Sequence, residues 1–399
     1  MSLELLASLE SEIVKGLPVF CLERWQSLHE TTARINLSES GVHPLSLEEL
    51  GEYGVDYGDL LKLELSYGWT RGSPELRKAI SELYEGSVDP ENIVVTAGSA
   101  EANLLAVLAL ISSGDVVLVD SPNYMQIPGL LRWVGAKVMY LRRKPPKWDF
   151  PAQRAIGLME ELKPRAIFVT DPNNPTGSYM SRRELKELAS EAERRGTVLV
   201  FDEVYWGTER GESKVSVAQV STSENFVSVS SLSKTYGLPG LRLGWISSGS
   251  RSIANRVWSI KDYVSIAPPV LSDRVAVKIL QPDVVRKLRI RARRVVSENL
   301  ETINKLLPNE ELIRPYPSLA GAYVWAEVPW TNNTLRLSYR VYEASGILVA
   351  PGECFSARGY VRVGVGLKPE ILRVGFAELL EVLSNIKNSE PLSGTAPRS

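Results

Sequence analysis

Cysteine and histidine are scarce in this 399-residue chain, which contains only Cys21, Cys354, His29 and His43. The two cysteines lie far apart and match no ligand spacing, and two histidines add little to a metal-binding set. The sequence therefore predicts neither a metal site nor a disulfide framework. A reducing, cytoplasmic setting follows as the default expectation.

Long apolar runs and an excess of one charge are also missing. No run approaches the ~18 apolar residues that a membrane-spanning helix needs. The first residues carry glutamates instead of the basic start of a signal peptide. The 46 lysines and arginines stand against 47 aspartates and glutamates, for a net charge of −1. Neither a membrane nor nucleic acid is therefore an expected partner.

What the chain does have is an alternation of strand-like and helical patterns. Ser73 and Pro74 are typical of a helix start, and Ser181 with Glu184 has capping-box spacing before a helix that stops at Gly196. Five short apolar runs are typical of strands buried on both faces: residues 92–98, 115–121, 166–171, 197–203 and 226–233. This order predicts an α/β fold with a mostly parallel sheet covered by helices.

From residue 276 the pattern changes to one long helical stretch followed by strand-like runs. We predict a large α/β domain over 46–275 and a smaller α+β domain over 276–386, which the N-terminal segment 1–45 joins. Residues 387–399 are small and polar and predict a flexible tail.

Polar or aromatic residues follow each of the five predicted strands. Any one of them is an ordinary turn residue or helix cap, but the carboxyl ends of parallel strands meet at one edge, where ligands bind. The turn after the first strand also opens a helix, whose free N–H groups suit an anion. The groups at this edge are Gly98-Ser99-Ala100, Tyr124, Asn174, Asp202 with Tyr205, and Lys234.

These motifs, GSA, PNY, DPNNPTG, DEVY and SLSK with an arginine eight residues later, resemble the class I and II aminotransferases among the fold-type I pyridoxal-phosphate enzymes. The resemblance covers roughly residues 35–375. It implies a mostly parallel seven-stranded sheet in the large domain, pyridoxal 5'-phosphate as cofactor, and a homodimer with shared sites. It also implies transfer of an amino group between an L-amino acid and a 2-oxo acid.

The resemblance assigns a role to each group around the cofactor ring. Lys234 would form the Schiff base with the aldehyde and later move the substrate α-proton. Asp202 would pair with the pyridinium nitrogen and keep the ring an electron sink. Tyr205 and Asn174 would hydrogen-bond the phenolic oxygen, and Tyr124 would stack on the ring.

The resemblance also supplies a phosphate site. Tyr67 would reach the phosphate of the neighbouring subunit, which is why a homodimer is expected. Within one chain, backbone N–H groups, hydroxyls and a guanidinium would hold the phosphate: Gly98, Ser99, Ala100, Ser231, Ser233 and Arg242.

For the substrate, the resemblance implies that Arg362 binds the α-carboxylate, next to Asn174 and to Gly41 in the N-terminal segment. His43 is either a substrate contact or a structural turn residue, and the structural interpretation is favoured.

The side-chain pocket is the least determined feature. An aspartate-using branch of the family often carries lysine where this chain has Ala100, so aspartate is not the expected donor. Phe20 and Trp25 lie near the N-terminal strand and predict room for apolar or long side chains.

Two reaction classes share all these cofactor residues. The stretches SGVHP, KDYVSIAPP and GILVAPG resemble a side branch that includes capreomycidine synthase, so a lyase or cyclase acting at the β- or γ-carbon stays open beside transamination. A non-catalytic sensor is disfavoured, because every cofactor residue is present.

Overall fold

The computed structural model describes residues 16–221, 223–307 and 310–389. Within these ranges the helices are α1 (Cys21–His29), α2 (Leu47–Glu52), α3 (Pro74–Leu83), α4 (Ser99–Leu110), α5 (Gln126–Trp133), α6 (Ala152–Leu162), α7 (Arg182–Arg195), α8 (Arg251–Lys261), α9 (Val270–Ile279), α10 (Pro282–Leu306), α11 (Thr334–Ser345) and α12 (Pro369–Ser389). The strands are β1 (Ile35–Asn36), β2 (Ile93–Thr96), β3 (Val116–Ser121), β4 (Lys137–Arg142), β5 (Ala166–Thr170), β6 (Val198–Asp202), β7 (Phe226–Ser231), β8 (Gly244–Ser248), β9 (Arg314–Pro315), β10 (Tyr323–Glu327), β11 (Ile347–Leu348), β12 (Ala350–Pro351) and β13 (Tyr360–Gly364).

The seven-stranded sheet has the order β2-β8-β7-β6-β5-β3-β4. Strand β8 runs antiparallel to both of its neighbours, and the other pairs are parallel. The carboxyl ends of β2, β3, β5, β6 and β7 therefore lie at one edge of the sheet. The predicted α/β fold with a mostly parallel seven-stranded sheet is confirmed.

Five of these strands coincide with the predicted apolar runs. Strands β4 and β8 were not predicted, and each lacks the expected pattern for a physical reason. Strand β4 lies at the sheet edge, and five of its six residues are exposed or only partly buried, so it lacks a continuous apolar run. Strand β8 starts at Gly244 and ends in Ser247 and Ser248, two serines that are fully buried. Continuous apolar runs are typical of the central strands of a parallel sheet, which are buried on both faces, and β4 and β8 do not have them.

Helices cover both faces of the sheet, and their predicted caps are present. The Ser73 hydroxyl accepts from the backbone N–H of Leu76 at 3.2 Å at the start of α3. Helix α7 starts with the reciprocal capping box of Ser181 and Glu184 and ends at Gly196, whose φ of 69° is left-handed. These caps satisfy backbone groups that a helix end leaves without partners.

A second, four-stranded sheet of order β12-β13-β10-β9 packs with α10, α11 and α12. The predicted domain limits stay a prediction, although the limit at 275/276 falls inside α9 and α12 continues to Ser389. The remainder of the predicted tail, 390–399, lies outside the described residues. In the described part of the chain, no helix has the length and apolar character required to cross a bilayer.

The N-terminal segment is fastened to the second sheet by a disulfide. Cys21 at the start of α1 is bonded to Cys354, with their Cα atoms 5.0 Å apart, although 333 positions separate them in the sequence. The Trp25 indole donates to the Val349 carbonyl at 2.9 Å, and β1 pairs with β11. The expectation that the cysteines form no disulfide framework is therefore wrong, because α1 packs on the turn that carries Cys354. The cytoplasmic location stays a prediction.

Removing the disulfide should destabilise the protein. Replacing Cys21 and Cys354 by serine should lower the free energy of unfolding by about 2–4 kcal/mol, since the unfolded chain loses a long-range cross-link. Reductant should lower the unfolding midpoint of the wild-type protein and leave that of the double variant unchanged. Free thiols titrated in the denatured, unreduced wild-type protein would contradict the cross-link.

Candidate active site

A cavity lies where the carboxyl edge of the large sheet meets α1 and β13. Seven residues singled out in the sequence line it: Ser99, Tyr124, Asn174, Asp202, Tyr205, Lys234 and Arg362. They come from loops after four different strands, from the start of α4 and from the second sheet. The structure therefore brings together groups that span more than 260 positions of the sequence.

Asp202 ends β6 as a buried carboxyl group without an ion pair in the described part of the chain. Its Oδ2 accepts from the Asn103 side-chain amide at 2.9 Å, and its Oδ1 accepts from the Val204 backbone N–H at 3.2 Å. Burial raises the pKa of Asp202 to about 6, against the hydrogen bonds from Asn103 and Val204, which lower it. A cation next to this carboxyl group would offset the cost of its burial.

Lys234 follows β7 and is the amine of the cavity. Its side chain is 30 % exposed, and Nζ lies 3.9 Å from Oε2 of Glu39. Gly41 packs directly on it: a Cβ at this position would lie 3.5 Å from both Cα and Cδ of Lys234 and 3.3 Å from the Ser233 carbonyl. The glycine thus leaves the lysine chain room to move.

The two partners expected for a phenolic oxygen occupy the floor of the cavity. The Tyr205 hydroxyl donates to the Ser40 hydroxyl at 2.9 Å, and burial raises the pKa of Tyr205. Asn174 Oδ1 accepts from Arg362 Nη1 at 2.7 Å. Both side chains are buried, so their orientations are held by these bonds.

Arg362 lies on β13, is 1 % exposed and points into the cavity from the second sheet. Its Nη2 donates to the Ser38 carbonyl at 2.5 Å, and its guanidinium lies 4.9 Å from the Phe355 ring centroid. Its Nε has no hydrogen-bond partner within residues 16–221, 223–307 and 310–389. A buried guanidinium with a free donor is suited to bind a carboxylate.

An anion cradle forms at the first turn of α4. Gly98 has a φ of +88°, and a Cβ there would lie 2.6 Å from Arg242 Nη2, so only glycine lets the guanidinium rest against this turn. The same guanidinium donates to the Pro239 carbonyl at 3.2 Å and to the Ala97 carbonyl at 3.5 Å, and Arg242 is exposed. The Ser231 hydroxyl accepts from the Ser233 backbone N–H at 3.3 Å beside it.

Tyr124 forms the wall of the cavity towards α1. Its hydroxyl donates to Glu23 Oε1 at 2.7 Å, and its ring meets Phe20 edge-on with centroids 4.8 Å apart. Burial and the Glu23 carboxylate raise the pKa of Tyr124 well above its usual value.

Several predicted residues lie elsewhere. Tyr67 is 85 % exposed on the surface and does not line the cavity. His43 contacts Arg291, whose Nη2 donates to the His43 carbonyl at 2.8 Å, so its placement is structural. Ala100 uses its carbonyl to accept from Gln126 at 2.9 Å. Trp25 is fully buried, and neither it nor Phe20 lines the cavity, so the predicted pocket wall of these two residues is wrong. Leu22, Glu23 and Gln26 of α1 line the cavity, whereas Phe20 packs on the Tyr124 ring and Trp25 bonds to the Val349 carbonyl.

Sequence reasoning also missed residues that position the predicted ones. Asn103 is a lone buried amide on the apolar helix α4, four positions after Ser99, and that isolated polarity was the available signal. Asp120 and Arg143 form an ion pair at 2.8 Å with both side chains fully buried. Asp120 also accepts from the Asn173 amide at 3.0 Å, which fixes the loop that carries Asn174.

Comparison with known proteins places the chain among aminotransferases. Residues 62–379 match the family described as Aminotransferase class I and II. A valine–pyruvate aminotransferase of Mycobacterium tuberculosis is 32% identical, with 75% of this chain and 79% of that protein covered. An aspartate/prephenate aminotransferase of Thermus thermophilus is 26% identical, with 79% and 83% covered.

A solved structure gives the same result. A PLP-dependent aminotransferase from Streptococcus suis is 31% identical, with a TM-score of 0.85 over 92% of this chain and 98% of that one. The relatives named here support transamination and lend no support to the lyase or cyclase alternative.

Ionisation of Asp202 should cost the ligand-free protein stability, because burial raises its pKa from 3.8 to about 6. Across this window the unfolded chain loses the proton first, so stability falls as pH rises and stays low above about pH 6. Ligand-free Asp202→Asn should therefore be more stable than wild type by about 1–3 kcal/mol at pH 8. The gain should vanish near pH 4. Denaturant unfolding at both pH values measures it, and a variant less stable than wild type at pH 8 would contradict the assignment.

Proposed function

Because the chain belongs to the class I and II aminotransferases, we propose that the cavity around Lys234 is the site where it moves an amino group between an L-amino acid and a 2-oxo acid. The family uses pyridoxal 5'-phosphate, which supplies an aldehyde for the amino group and a ring that accepts electrons from the substrate α-carbon. The observation that carries the proposal is the convergence of a lysine amine, a buried carboxyl group and a buried guanidinium on one cavity.

The residues present fit this cofactor. The N–H groups at the start of α4, the hydroxyls of Ser231 and Ser233, and Arg242 would hold the phosphate. Gly98 supports this role, since its missing Cβ brings backbone and guanidinium together. Asp202 would face the ring nitrogen, because its buried carboxyl group has no ion pair with any of the described residues.

Three further side chains would orient the ring. Tyr205 and Asn174 would hydrogen-bond its phenolic oxygen, and Tyr124 would cover its face. Each is already held by a hydrogen bond to another residue, so little conformational entropy is lost on binding.

Two residues would act on the substrate. Arg362 would hold the α-carboxylate with its free Nε and its Nη groups, which fixes the α-carbon. Lys234 would then take the proton from that α-carbon and pass it to the cofactor carbon that receives the amino group, and it would carry out the reverse transfer in the second half of the cycle. Gly41 leaves its chain the room for this movement.

We also propose that two copies form a homodimer that shares the sites. Tyr67 belongs to an exposed apolar surface, on which Leu61, Leu65, Trp69 and Tyr263 are 92%, 81%, 62% and 93% exposed. An unpartnered surface of this kind is typical of a subunit interface.

The position of this surface supports a shared site. A Cβ on Gly68 would lie 3.6 Å from Val270 Cγ2, and the Ser265 hydroxyl donates to Glu101 on α4 at 2.5 Å. The surface therefore borders the helix whose start forms the anion cradle. Tyr67 of a second copy would reach the phosphate from there.

The names of the relatives include valine, pyruvate, aspartate and prephenate, so they do not single out one side chain. The preference of this chain has to follow from its own cavity.

Lys234→Ala should abolish transamination. Loss of the residue that moves the α-proton should lower kcat by at least about 10²–10⁴-fold. The variant should still bind the cofactor, because the phosphate and ring contacts remain. The measurement is 2-oxo acid formation at saturating amino acid, with bound cofactor determined by absorbance.

Lys186→Ala on the exposed face of α7 is the matched control, and its kcat should equal that of wild type. Turnover of Lys234→Ala within threefold of wild type would contradict the role of the lysine.

Charges on the apolar surface should separate the two copies. Leu61→Glu combined with Leu65→Glu should give a monomer in sedimentation equilibrium and a weaker hold on the cofactor, because the neighbouring Tyr67 is lost. Ile290→Glu on α10, at a position that is 52% exposed, is the control and should leave the dimer intact. A wild-type protein that is monomeric at micromolar concentration and fully active would overturn the shared site.

A further inference from the structure

The two ends of the cavity carry opposite charge. At the inner end lies Arg362, 1 % exposed, whose Nε lacks a hydrogen-bond partner among the described residues. At the mouth Glu23 lines the cavity, and Glu39 lies 3.9 Å from the cavity lysine, Lys234. Glu30 is the third glutamate of this segment, and its pKa responds to the charges of Glu39, Glu23 and Lys234. A ligand that fits both ends has a carboxylate at one end and a cation at the other.

Glu23 is built into the cavity wall. It lies in the first turn of α1, and its Oε1 accepts from the Tyr124 hydroxyl at 2.7 Å. The hydrogen bond fixes one carboxylate oxygen, and the carboxylate charge stays exposed at the mouth of the cavity.

Glu39 and Glu30 complete the acidic mouth. Glu39 Oε2 lies 3.9 Å from Lys234 Nζ, and half of its side chain is exposed. Burial and the charges of Glu39 and Glu23 raise the pKa of Glu30, whereas Lys234 lowers it. The three carboxylates are thus close enough to repel one another beside the reactive lysine.

Lysine and arginine side chains neutralise little of this negative charge. In the described part of the chain, neither Glu23 nor Glu30 has an ion pair with a lysine or arginine, and Glu39 pairs with Lys234 alone. Arrangements of like charge around a polar cavity cost stability unless a ligand neutralises them.

We propose that the site selects L-amino acids with a cationic side chain, of the lysine, ornithine or arginine type. Arg362 binds the α-carboxylate, Glu23 and Glu39 receive the distal ammonium or guanidinium group, and Glu30 adds negative charge next to them. The inference rests on the proposed function, since it assigns the substrate of that same site.

The wall between the two ends suits the stem of such a side chain. Leu22 is 1 % exposed and lines the cavity beside Glu23, so the methylene groups of a lysine or arginine find an apolar surface on the way to the mouth. Aspartate and glutamate would bring a fourth carboxylate to the mouth, where like charge disfavours them.

The test compares amino donors that differ in charge and little in shape. Lysine is paired with norleucine and arginine with citrulline, and aspartate serves as the acidic donor. The holoenzyme is titrated with each donor without oxo acid, and the change in cofactor absorbance gives an apparent dissociation constant and a rate. For each donor the rate is divided by the apparent dissociation constant. This quotient should be at least about tenfold larger for the cationic member of each pair than for its neutral analogue.

Variants locate the origin of this preference. Glu23→Gln combined with Glu39→Gln should lower the lysine-to-norleucine ratio by at least about fivefold, because two of the three charges are gone. Raising the ionic strength from about 0.05 M to about 0.5 M should lower the wild-type ratio as well, since exposed charges are screened. Glu82→Gln, an exposed glutamate on α3, should leave the ratio unchanged.

The possible results distinguish a failure of this inference from a failure of the proposed transamination. If norleucine, citrulline or aspartate proved as good a donor as lysine and arginine, the charge preference would be overturned and transamination would still stand. An unchanged ratio in the Glu23/Glu39 double variant would overturn the assignment of the glutamates. No change in cofactor absorbance with any amino acid would count against the proposed function itself.

Discussion

The hydrogen bond from Arg362 Nη1 to Asn174 Oδ1 joins the two sheets of the molecule across 188 positions of sequence. A buried guanidinium is costly unless its donors are satisfied, and this one is satisfied from three sides: the loop after β5, the Ser38 carbonyl and the aromatic rings of Tyr323 and Phe355. The cavity exists because these elements converge on one charge. Its remaining free donor is the group left for a ligand.

Asp202 and Arg362 carry opposite charges in the site and do not form an ion pair with each other. Asp202 is buried at the end of β6 with hydrogen bonds from Asn103 and Val204 but no ion pair in the described part of the chain. Arg362 is buried on the facing sheet, and none of the described carboxylates forms an ion pair with it. Buried charges left unpaired in a cleft are a mark of function, since folding alone would pair them or replace them. A cationic ring next to Asp202 and a carboxylate next to Arg362 would neutralise both.

The N-terminal segment supplies what the large sheet lacks. Helix α1 carries Leu22 and Glu23 into the cavity, and the disulfide from Cys21 to Cys354 fastens the same turn to the second sheet. The cross-link therefore restrains the part of the wall that would meet the substrate side chain. In this chain the groups proposed to hold the cofactor lie at strand ends, whereas the groups proposed to meet the substrate side chain lie on a helix held by a covalent bond.

Local sequence was sufficient wherever one stretch of chain forms a whole feature. The five central strands, the caps at Ser73 and Ser181 and the cluster of groups at the sheet edge could all be predicted, because periodicity, capping chemistry and strand direction act over a few residues. Strands β4 and β8 could not, since an edge strand and a serine-rich strand lack a continuous apolar run.

Tertiary structure decided everything that joins distant segments. The pairing of Cys21 with Cys354, the support of Asp202 by Asn103 and the acidic mouth of Glu23, Glu30 and Glu39 depend on packing between elements, for which spacing along the chain carries no signal. Which face of α1 turns inward was likewise set by contacts with the second sheet, through Trp25 and its bond to Val349. The sequence by itself thus determined the fold and which groups meet at the sheet edge, because these depend on local pattern and strand direction. Packing between distant elements determined the wall of the cavity, including the part proposed to meet the substrate side chain.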